Sequence, residues 1–417
     1  MRQAAAGFIP PLPITNLVAR FDATQGVAAT AGVITQWNDI SGNGNNATEA
    51  TKGPLVRADY LGNPIVRFNG NHQLTFAGAQ VFDARNTAVF AVGRMYGGTL
   101  FGIVGYAGGA GNLRNPGNPN NKWFAVTQNM LLQPIVNPML LGSATASGNT
   151  TGVTNYRTAP TGSPVNSGSG TGGATLGMFN AGAFGVLDLA EVAVYTTPPS
   201  LAAVQAYFNT KYRLRSTPYA KAVTFEGDSI TAGFGLAESM LSFPDQIMRA
   251  SVADWQMINL GSSGATVTTL TSRATTTDSM ITAGARNVLA VLIGRNDAAV
   301  GGVTAAQVYT SIQTYVQARV TAGWEVWVGT CIGTGSAVQA VLDPLNQLLR
   351  GTPLGGTGPG IIADAGATKV IDYGAQTHFI TSADAANTTY YQADSTHPTV
   401  TGAALLATYA ASVLAAA

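Results

Sequence analysis

This sequence has very little cysteine and little charge. Among its 417 residues there is one cysteine, Cys331, so no disulfide can form within the chain. Charged residues make up 10%, and the net charge is +1, whereas roughly 25% of an average soluble protein is charged. A chain with so little charge, and with no run of lysine or arginine, has no long-range field that would attract nucleic acid or an anionic membrane. We therefore expect no nucleic-acid partner.

Long hydrophobic runs are also missing. Residues 1–11 lack the apolar core of roughly 7–15 residues that marks a secretory signal. No apolar stretch reaches the ~18–20 residues of a membrane span; the alanine-rich tail at residues 403–417 comes nearest and is too short. The sequence thus predicts neither a membrane span nor an export signal.

Few residues are suited to metal binding. Cys331 lies in the apolar run 326–332, which predicts a buried structural thiol rather than a reactive one. No histidine, cysteine or carboxylate cluster has the spacing of a metal site, so we expect no metal and no cofactor. Asp22, Asp39 and Asp59 could join a calcium site, but their spacing is not diagnostic.

The length and the 46% of apolar residues favour two domains, each with its own core. Up to about residue 198, short apolar runs such as 64–68, 88–92 and 189–195 alternate with turn-forming stretches rich in glycine and asparagine. This pattern is typical of an all-β sandwich or jelly roll. The glycine- and serine-rich stretch 143–173 predicts loops and weak strands.

A helix and a linker end this first half. Ser200 is a suitable N-cap, and Leu201, Val204, Phe208 and Tyr212 follow at spacings of three and four residues, which gives one apolar helical face. Residues 215–219 form the predicted linker. We expect one domain at residues 1–215 and a second at 216–417.

The second half alternates strands with helices. Strands are predicted at 222–226, 256–259, 288–293 and 326–332, and helices at about 243–253, 304–322, 337–350 and 400–414. Such alternation predicts an α/β domain in which helices cover both faces of a parallel sheet. Ligands of these sheets bind at the carboxyl ends of the strands, so the residues just after each strand are candidates for function.

Polar or glycine residues follow three of these strands. Ser229 follows the first strand, where its N–H near a helix start could bind an oxyanion. Gly261 and Gly264 follow the second strand, where the backbone can approach a substrate closely. Asn296 follows the third, and its amide could also donate to an oxyanion. Taken singly, each motif is explained equally well by a turn or a helix cap.

One further pair stands near the end of the chain. Asp394 precedes His397 by three residues, so its carboxylate could orient the imidazole as a general base. Of the other two histidines, His378 has no acid at a comparable spacing, and His72 belongs to the other domain, where we expect a structural or surface position.

In this order, the motifs at Ser229, Gly264, Asn296 and His397 resemble the four blocks of the SGNH hydrolases, also called GDSL esterases. The resemblance covers about 200 residues and implies a three-layer, flavodoxin-like α/β fold. It implies that Ser229 is the nucleophile, His397 its base and Asp394 the orienting acid. It also implies an oxyanion hole made by the N–H groups of Ser229 and Gly264 and by the Asn296 side chain. Gly261 remains an alternative donor, and Ala265 stands where the family often has aspartate.

Residues 37–45, 64–70 and 191–195 resemble concanavalin A-like (laminin-G-like) jelly rolls. That resemblance implies either a glycan-binding domain or a spacer and assembly domain, and both readings stay open. Together the two halves suggest an enzyme that removes O-acetyl groups from a polysaccharide.

The missing export signal and the low-charge composition suggest a phage virion protein that acts on a host capsule. Such a protein would be part of the virion or extracellular after lysis; otherwise we expect a cytoplasmic location. It could form a homo-oligomer or assemble in a virion. The alternatives are a non-catalytic glycan-binding attachment or structural protein and a lipase-like esterase, although no amphipathic lid is recognisable.

Overall fold

The computed structural model describes residues 8–58, 63–76, 88–97, 101–102, 104–106, 113–115, 124–125, 128–129, 139–146, 149–154, 158–160, 174–180, 183–184, 186–238, 241–247, 254–335 and 337–417. The chain divides into two compact units, the first ending at Pro218 and the second running from Tyr219 to Ala417. The division falls inside the stretch 215–219 that the sequence predicts as a linker.

The first unit consists mainly of antiparallel strands. They are β1 Leu17–Asp22, β2 Val27–Thr30, β3 Val33–Trp37, β4 Ala47–Thr48, β5 Leu55–Ala58, β6 Pro64–Asn69, β7 Leu74–Phe76, β8 Ala88–Gly97, β9 Phe101–Gly102, β10 Val104–Tyr106, β11 Leu113–Asn115, β12 Phe124–Ala125, β13 Gln128–Asn129, β14 Met139–Ala146, β15 Asn149–Thr154, β16 Thr158–Pro160, β17 Ala174–Leu176, β18 Met178–Asn180, β19 Ala183–Phe184 and β20 Val186–Tyr195.

Most of these strands share one sheet, whose main path runs β10-β17-β7-β4-β3-β5-β6-β20-β8-β14-β15-β16. All pairings among the described strands of this unit are antiparallel. The predicted β class is therefore confirmed, while the jelly-roll assignment stays a prediction. Strands β14 to β16 extend into the stretch expected to hold loops and weak strands; residues 161–173 lie outside the described part.

Strand β20 contributes to two hydrophobic cores among the described residues of this unit. Leu189 and Val192 belong to the core that holds Trp37, whereas Ala193 and Tyr195 belong to the core beneath helix α1 (Leu201–Tyr212). The pairing of β20 with β8 is irregular between Leu189 and Glu191. Odd-numbered residues before this irregularity and even-numbered residues after it therefore face the same core. The helix begins as predicted, with the Ser200 side chain accepting a hydrogen bond from the Ala203 N–H.

The second unit is an α/β domain. Its strands are β21 Lys221–Gly227, β22 Trp255–Asn259, β23 Arg286–Leu292, β24 Glu325–Gly329 and β25 Lys369–Ile371. Its described helices are α2 Ser229–Ala232, α3 Phe243–Ile247, α4 Val267–Ser272, α5 Ala274–Asp278, α6 Arg295–Ala298, α7 Ala305–Thr321, α8 Gln339–Arg350, α9 Gly360–Ala365 and α10 Val400–Ala415.

The five strands run parallel in the order β22-β21-β23-β24-β25, which is the flavodoxin-like order. One face of the sheet shares a core with α7 and α8. On the other face, the Phe225 ring packs 5.9 Å from that of Phe243 in α3. The predicted parallel sheet between two helical layers is confirmed. The predicted helix at 243–253 is observed as far as Ile247, and residues 248–253 lie outside the described part.

Candidate active site

The order of the strands in this sheet determines where a ligand could bind. Strand β21 lies between β22 and β23, so the chain leaves β21 to one side and then returns to the other. A crevice forms where the order of a parallel sheet reverses in this way, at the carboxyl ends of the strands. Ser229, Gly264 and Asn296 follow these three neighbouring strands, and all three line one cavity at this edge.

Ser229 is the first residue of α2, a single helical turn directly after β21. Asp228 is the N-cap of that turn, and its Oδ1 accepts a hydrogen bond of 2.9 Å from the Ile230 N–H. Gly233 ends the turn at φ +77°. This tight turn between strand and helix brings the Ser229 hydroxyl to the edge of the sheet, beside the cavity.

The structure places His397 and Asp394 next to Ser229, which is 168 residues from His397 along the chain. The Ser229 Oγ lies 2.7 Å from His397 Nε2, and His397 Nδ1 lies 2.6 Å from Asp394 Oδ2. With the imidazole proton on Nδ1, the ring donates to the carboxylate and accepts the serine proton at Nε2. This is the geometry of a serine nucleophile, a general base and an orienting acid.

The carboxylate of Asp394 also organises its own loop. Its Oδ1 accepts hydrogen bonds of 3.0 Å from the backbone N–H groups of Thr396 and His397. Burial alone would raise the pKa of Asp394, but the bonds from the His397 ring and from these two N–H groups together lower it below its ordinary value. Asp394 therefore stays ionised beside the imidazole, where a negative charge stabilises the imidazolium.

Two candidate oxyanion donors face the same cavity as Ser229. Asn296 donates from Nδ2 to the Ala265 carbonyl at 2.9 Å, which fixes the amide while leaving its second hydrogen. Gly264 adopts φ +77°, and within the described residues no hydrogen-bond partner of its N–H is found. Both residues line the cavity.

The alternative donor, Gly261, is differently placed. Its N–H donates to Asn259 Oδ1 at 2.9 Å, and it does not line the cavity. A Cβ added at Gly261 would lie 2.3 Å from the Ala232 nitrogen. This glycine therefore lets the loop after β22 pass close to α2, and the geometry favours Gly264 as the donor.

The cavity has a volume of about 380 Å³. Its lining residues are Ser229, Phe234, Ser263, Gly264, Arg295, Asn296, Asp394, Thr396 and His397. Sequence reasoning assigned no role to Phe234, Ser263, Arg295 or Thr396. Arg295 directly precedes Asn296 in the sequence, and that position is the only signal that could have identified it. The Arg295 Nη2 donates to Thr396 Oγ1 at 3.2 Å. This bond links the start of α6, which follows β23, to the loop that carries Asp394 and His397.

Asp228 is the most strongly perturbed carboxyl beside the nucleophile. Burial raises its pKa to about 6, although the Ile230 N–H and the Arg295 charge act in the opposite direction. Burial also raises the pKa of Asp297, whose carboxylate accepts a hydrogen bond from the Val267 N–H. The carboxyls next to Ser229 and Asn296 are therefore held in an environment that disfavours charge.

The other residues singled out in the sequence lie away from this cavity. His378 stacks on Tyr390 with ring centroids 4.0 Å apart, and it does not line the cavity. His72 accepts a hydrogen bond of 3.2 Å at Nδ1 from the Asn69 N–H. Cys331 is buried, and burial raises its pKa well above the ordinary value, as expected of a structural thiol.

Two of the three aspartates considered for calcium, Asp22 and Asp39, have other partners. Asp22 forms an ion pair with Lys211, and the Asp39 carboxylate accepts hydrogen bonds from the N–H groups of Arg20, Ser41 and Asn45. Asp59 lies outside the described residues. Within the described ranges, no group of three or more histidine, cysteine or carboxylate side chains could hold a metal ion.

Among the described residues, none of the helices combines the length and the apolar character needed to cross a bilayer.

No family model matches the chain, and no curated protein matches it. Among solved structures, it is similar to a member of the lipolytic G-D-S-L family from Veillonella parvula, with 20% identity over 46% of this chain and 98% of the other and a TM-score of 0.38. An acetylxylan esterase from Geobacillus stearothermophilus is 17% identical over 47% and 94%, with a TM-score of 0.36. Trypanosoma rangeli sialidase is 13% identical over 49% and 36%, with a TM-score of 0.37. At these values, similarity alone assigns no activity.

Proposed function

We propose that this protein is a serine esterase of the SGNH type. The observation that carries the proposal is the chain of contacts from Ser229 Oγ through both ring nitrogens of His397 to Asp394, at 2.7 and 2.6 Å. A serine hydroxyl is a weak nucleophile until a positioned base removes its proton. Here the base and its orienting acid are already within hydrogen-bonding distance, beside a cavity.

The proposed reaction has two steps. Ser229 Oγ attacks the ester carbonyl while its proton moves to His397 Nε2; the tetrahedral intermediate then collapses, the C–O bond to the alcohol breaks, and the imidazolium gives its proton to the leaving alcohol. A water molecule next loses a proton to His397 and attacks the acyl-serine, which releases the carboxylic acid and returns the proton to Ser229. Asp394 stabilises the imidazolium in both steps.

The negative charge that develops on the carbonyl oxygen needs donors. We assign this role to the N–H groups of Ser229 and Gly264 and to the Asn296 side chain. In support, all three residues line the same cavity as the Ser229 hydroxyl, and the Asn296 amide is already held by the Ala265 carbonyl. Donors fixed before the reaction need no reorganisation when the charge appears.

We further propose that the substrate is an O-acetylated polysaccharide. The support is the pairing of this site with an antiparallel β unit whose sequence resembles concanavalin A-like domains, for which glycan binding is the proposed role. The low-charge composition is consistent with a virion protein that deacetylates a host capsule, and we propose that setting for it.

Hydrolysis of p-nitrophenyl acetate tests the esterase proposal. Ser229→Ala should lower turnover by about 10⁴–10⁶ relative to wild type. Ser263→Ala is the matched control, because Ser263 lines the same cavity but makes no hydrogen bond to His397, and it should retain activity. Equal rates for wild type and Ser229→Ala would reject the mechanism, and a wild-type rate no higher than spontaneous hydrolysis of the ester would favour the non-catalytic glycan-binding alternative.

The substrate class requires a separate measurement. Acetate release from a panel of acetylated polysaccharides, with Ser229→Ala as the blank, should identify at least one good substrate. Cleavage of long-chain acyl esters without any acetate release from glycans would instead support the lipase-like alternative.

A further inference from the structure

One large apolar side chain stands exposed inside the proposed active site. Phe234 lines the cavity and is 52% exposed. Its ring centroid lies 4.8 Å from that of His397, with the planes inclined at 47°. The phenyl ring therefore packs against the imidazole of the proposed base, while about half of the residue remains open to solvent. An exposed aromatic surface in a cavity commonly marks a place where a ligand binds.

The backbone of Phe234 is anchored to both sides of the site. Its N–H donates to the Ser229 carbonyl at 2.9 Å, and its own carbonyl accepts a 2.8 Å hydrogen bond from Gln392 Nε2. Gln392 in turn donates its N–H to the His397 carbonyl at 2.8 Å. Phe234 is thus fixed relative to the proposed nucleophile and the proposed base alike.

The next residue, Gly235, is needed for this anchoring because the Gln392 side chain packs closely against it. A Cβ added at Gly235, where φ is +74°, would lie 2.2 Å from Gln392 Oε1. The glycine therefore allows the Gln392 side chain to reach the Phe234 carbonyl. The backbone that carries the ring is therefore ordered before a ligand binds, so binding need not order it.

The proposed reaction determines which half of the ester lies beside the Phe234 side chain. The imidazolium must give its proton to the leaving alcohol oxygen, so the alcohol lies on the His397 side of the carbonyl carbon. The carbonyl oxygen points toward Gly264 and Asn296. Phe234 contacts the His397 ring, and so it borders the space that the alcohol occupies.

We propose that Phe234 is the specificity-determining residue for the alcohol half of the substrate, and that it packs against the C–H face of a pyranose ring. This inference rests on the proposed esterase function and names the part of the substrate that this side of the cavity recognises. An aromatic face suits a cyclic alcohol with an apolar face, since the two surfaces bury apolar area against each other.

Kinetics with paired substrates test the proposal. For Phe234→Ala, kcat/KM toward a monoacetylated methyl pyranoside should fall about ten-fold, whereas kcat/KM toward ethyl acetate, which lacks a ring, should change little. The rate ratios among p-nitrophenyl acetate, butyrate and hexanoate should stay as in wild type, because the acyl half lies elsewhere. Leu354→Ala, which truncates a 47% exposed side chain outside the cavity, should match wild type throughout.

A second variant separates ligand contact from support of the histidine. Phe234→Leu keeps apolar bulk beside His397 but removes the flat ring, so it should lose activity on the pyranoside and keep it on ethyl acetate. An equal loss on both substrates would overturn the proposal and leave Phe234 as a support for His397. A changed acyl-length profile would also overturn it, because Phe234 would then contact the acyl half.

Binding measurements keep this inference distinct from the esterase proposal. Calorimetry with the monoacetylated methyl pyranoside should show about ten-fold weaker binding to Ser229→Ala/Phe234→Ala than to Ser229→Ala alone. Equal affinities would reject the role of Phe234 even in an active esterase. If wild type hydrolysed no ester, the esterase proposal would fail, and this comparison would still decide whether Phe234 binds a pyranoside.

Discussion

Asn296 has two amide hydrogens, and the Ala265 carbonyl engages one of them at 2.9 Å. If the second one binds the oxyanion, Asn296→Ala should lower kcat by about 10²–10³ while KM changes much less, since the interaction forms mainly in the transition state. Steady-state kinetics on p-nitrophenyl acetate measure both constants. A variant with wild-type kcat would exclude Asn296 from the oxyanion hole.

The two glycines after β22 are needed for different reasons, which gives a second prediction. Gly261→Ala would place a Cβ 2.3 Å from the Ala232 nitrogen and 2.6 Å from the Thr231 carbonyl carbon, so the turn that carries Ser229 must move. Gly264→Ala meets nothing within 4 Å and should cost only the left-handed backbone conformation, about 1–2 kcal/mol. Denaturant unfolding should therefore show the larger loss for Gly261→Ala; the reverse order would contradict this reading.

Asp228 predicts a pH dependence of stability. Its pKa is raised by burial from 3.8 to about 6, so the folded state holds the proton more tightly than the unfolded state. Stability should therefore fall as pH rises from about 4 to about 6, by up to about 3 kcal/mol, and stay at the lower value above that window. Asp228→Asn keeps a capping oxygen for the Ile230 N–H and should remove this fall.

Unfolding free energies at about pH 4 and pH 7 check this third prediction. The variant should resemble wild type at the lower pH and exceed it at the higher one. A variant that is less stable than wild type at pH 7 would show that the charged form of Asp228 is the one that the fold favours.

The sequence identifies the polar residues of the proposed site, but it does not identify the aromatic residue that lines the cavity beside them. Ser229, Gly264, Asn296 and His397 stand in short motifs next to strand ends, and the rule that strand ends share an edge brings them together. Phe234 has no such signal, because its place beside His397 depends on a hydrogen bond from Gln392, which is 158 residues away in sequence. Contacts of that range have no local pattern.

At the scale of elements, the loop that carries Asp394 and His397 is held by the loop after β24. The Gly335 N–H donates to the Ser395 carbonyl at 2.8 Å, and Ser395 adopts φ +52°. A Cβ at Gly335 would lie 2.6 Å from the Ser395 Cβ. The position of the proposed base therefore depends on two small residues in contact.

A double-mutant cycle tests this dependence. Gly335→Ala should lower kcat/KM by up to about 10²-fold, because a small displacement of a catalytic group is costly. Adding Ser395→Gly removes the clashing Cβ and the strained side chain, so the double variant should recover most of the activity. Losses that simply add would show that the two residues act independently.

The sequence predicts a helix well where its apolar residues repeat at helical spacing over many residues. Helix α7 was predicted at 304–322 and is observed at Ala305–Thr321, with Thr304 and Gln307 forming a capping box. Strand β25 was missed because it has only three residues. Helices α4 and α5 have no clear sequence signal because they are only six and five residues long and rich in threonine, too short for a helical period of apolar residues to be recognised.

For the whole molecule, all residues of the proposed mechanism lie in the second unit. We therefore predict that residues 219–417 expressed alone hydrolyse p-nitrophenyl acetate at close to the rate of the full chain. Activity on an acetylated polysaccharide should fall more than activity on the small ester if the first unit binds glycan. An equal change on both substrates would favour the spacer and assembly role.

The central claim is that His397 activates Ser229 for nucleophilic attack, and covalent labelling tests it most directly. A fluorophosphonate reacts with a serine that a neighbouring base activates. Peptide mass spectrometry of the labelled full-length protein should find the adduct on Ser229, and His397→Ala should abolish it. The absence of labelling, labelling of another serine, or labelling that persists in His397→Ala would contradict this account.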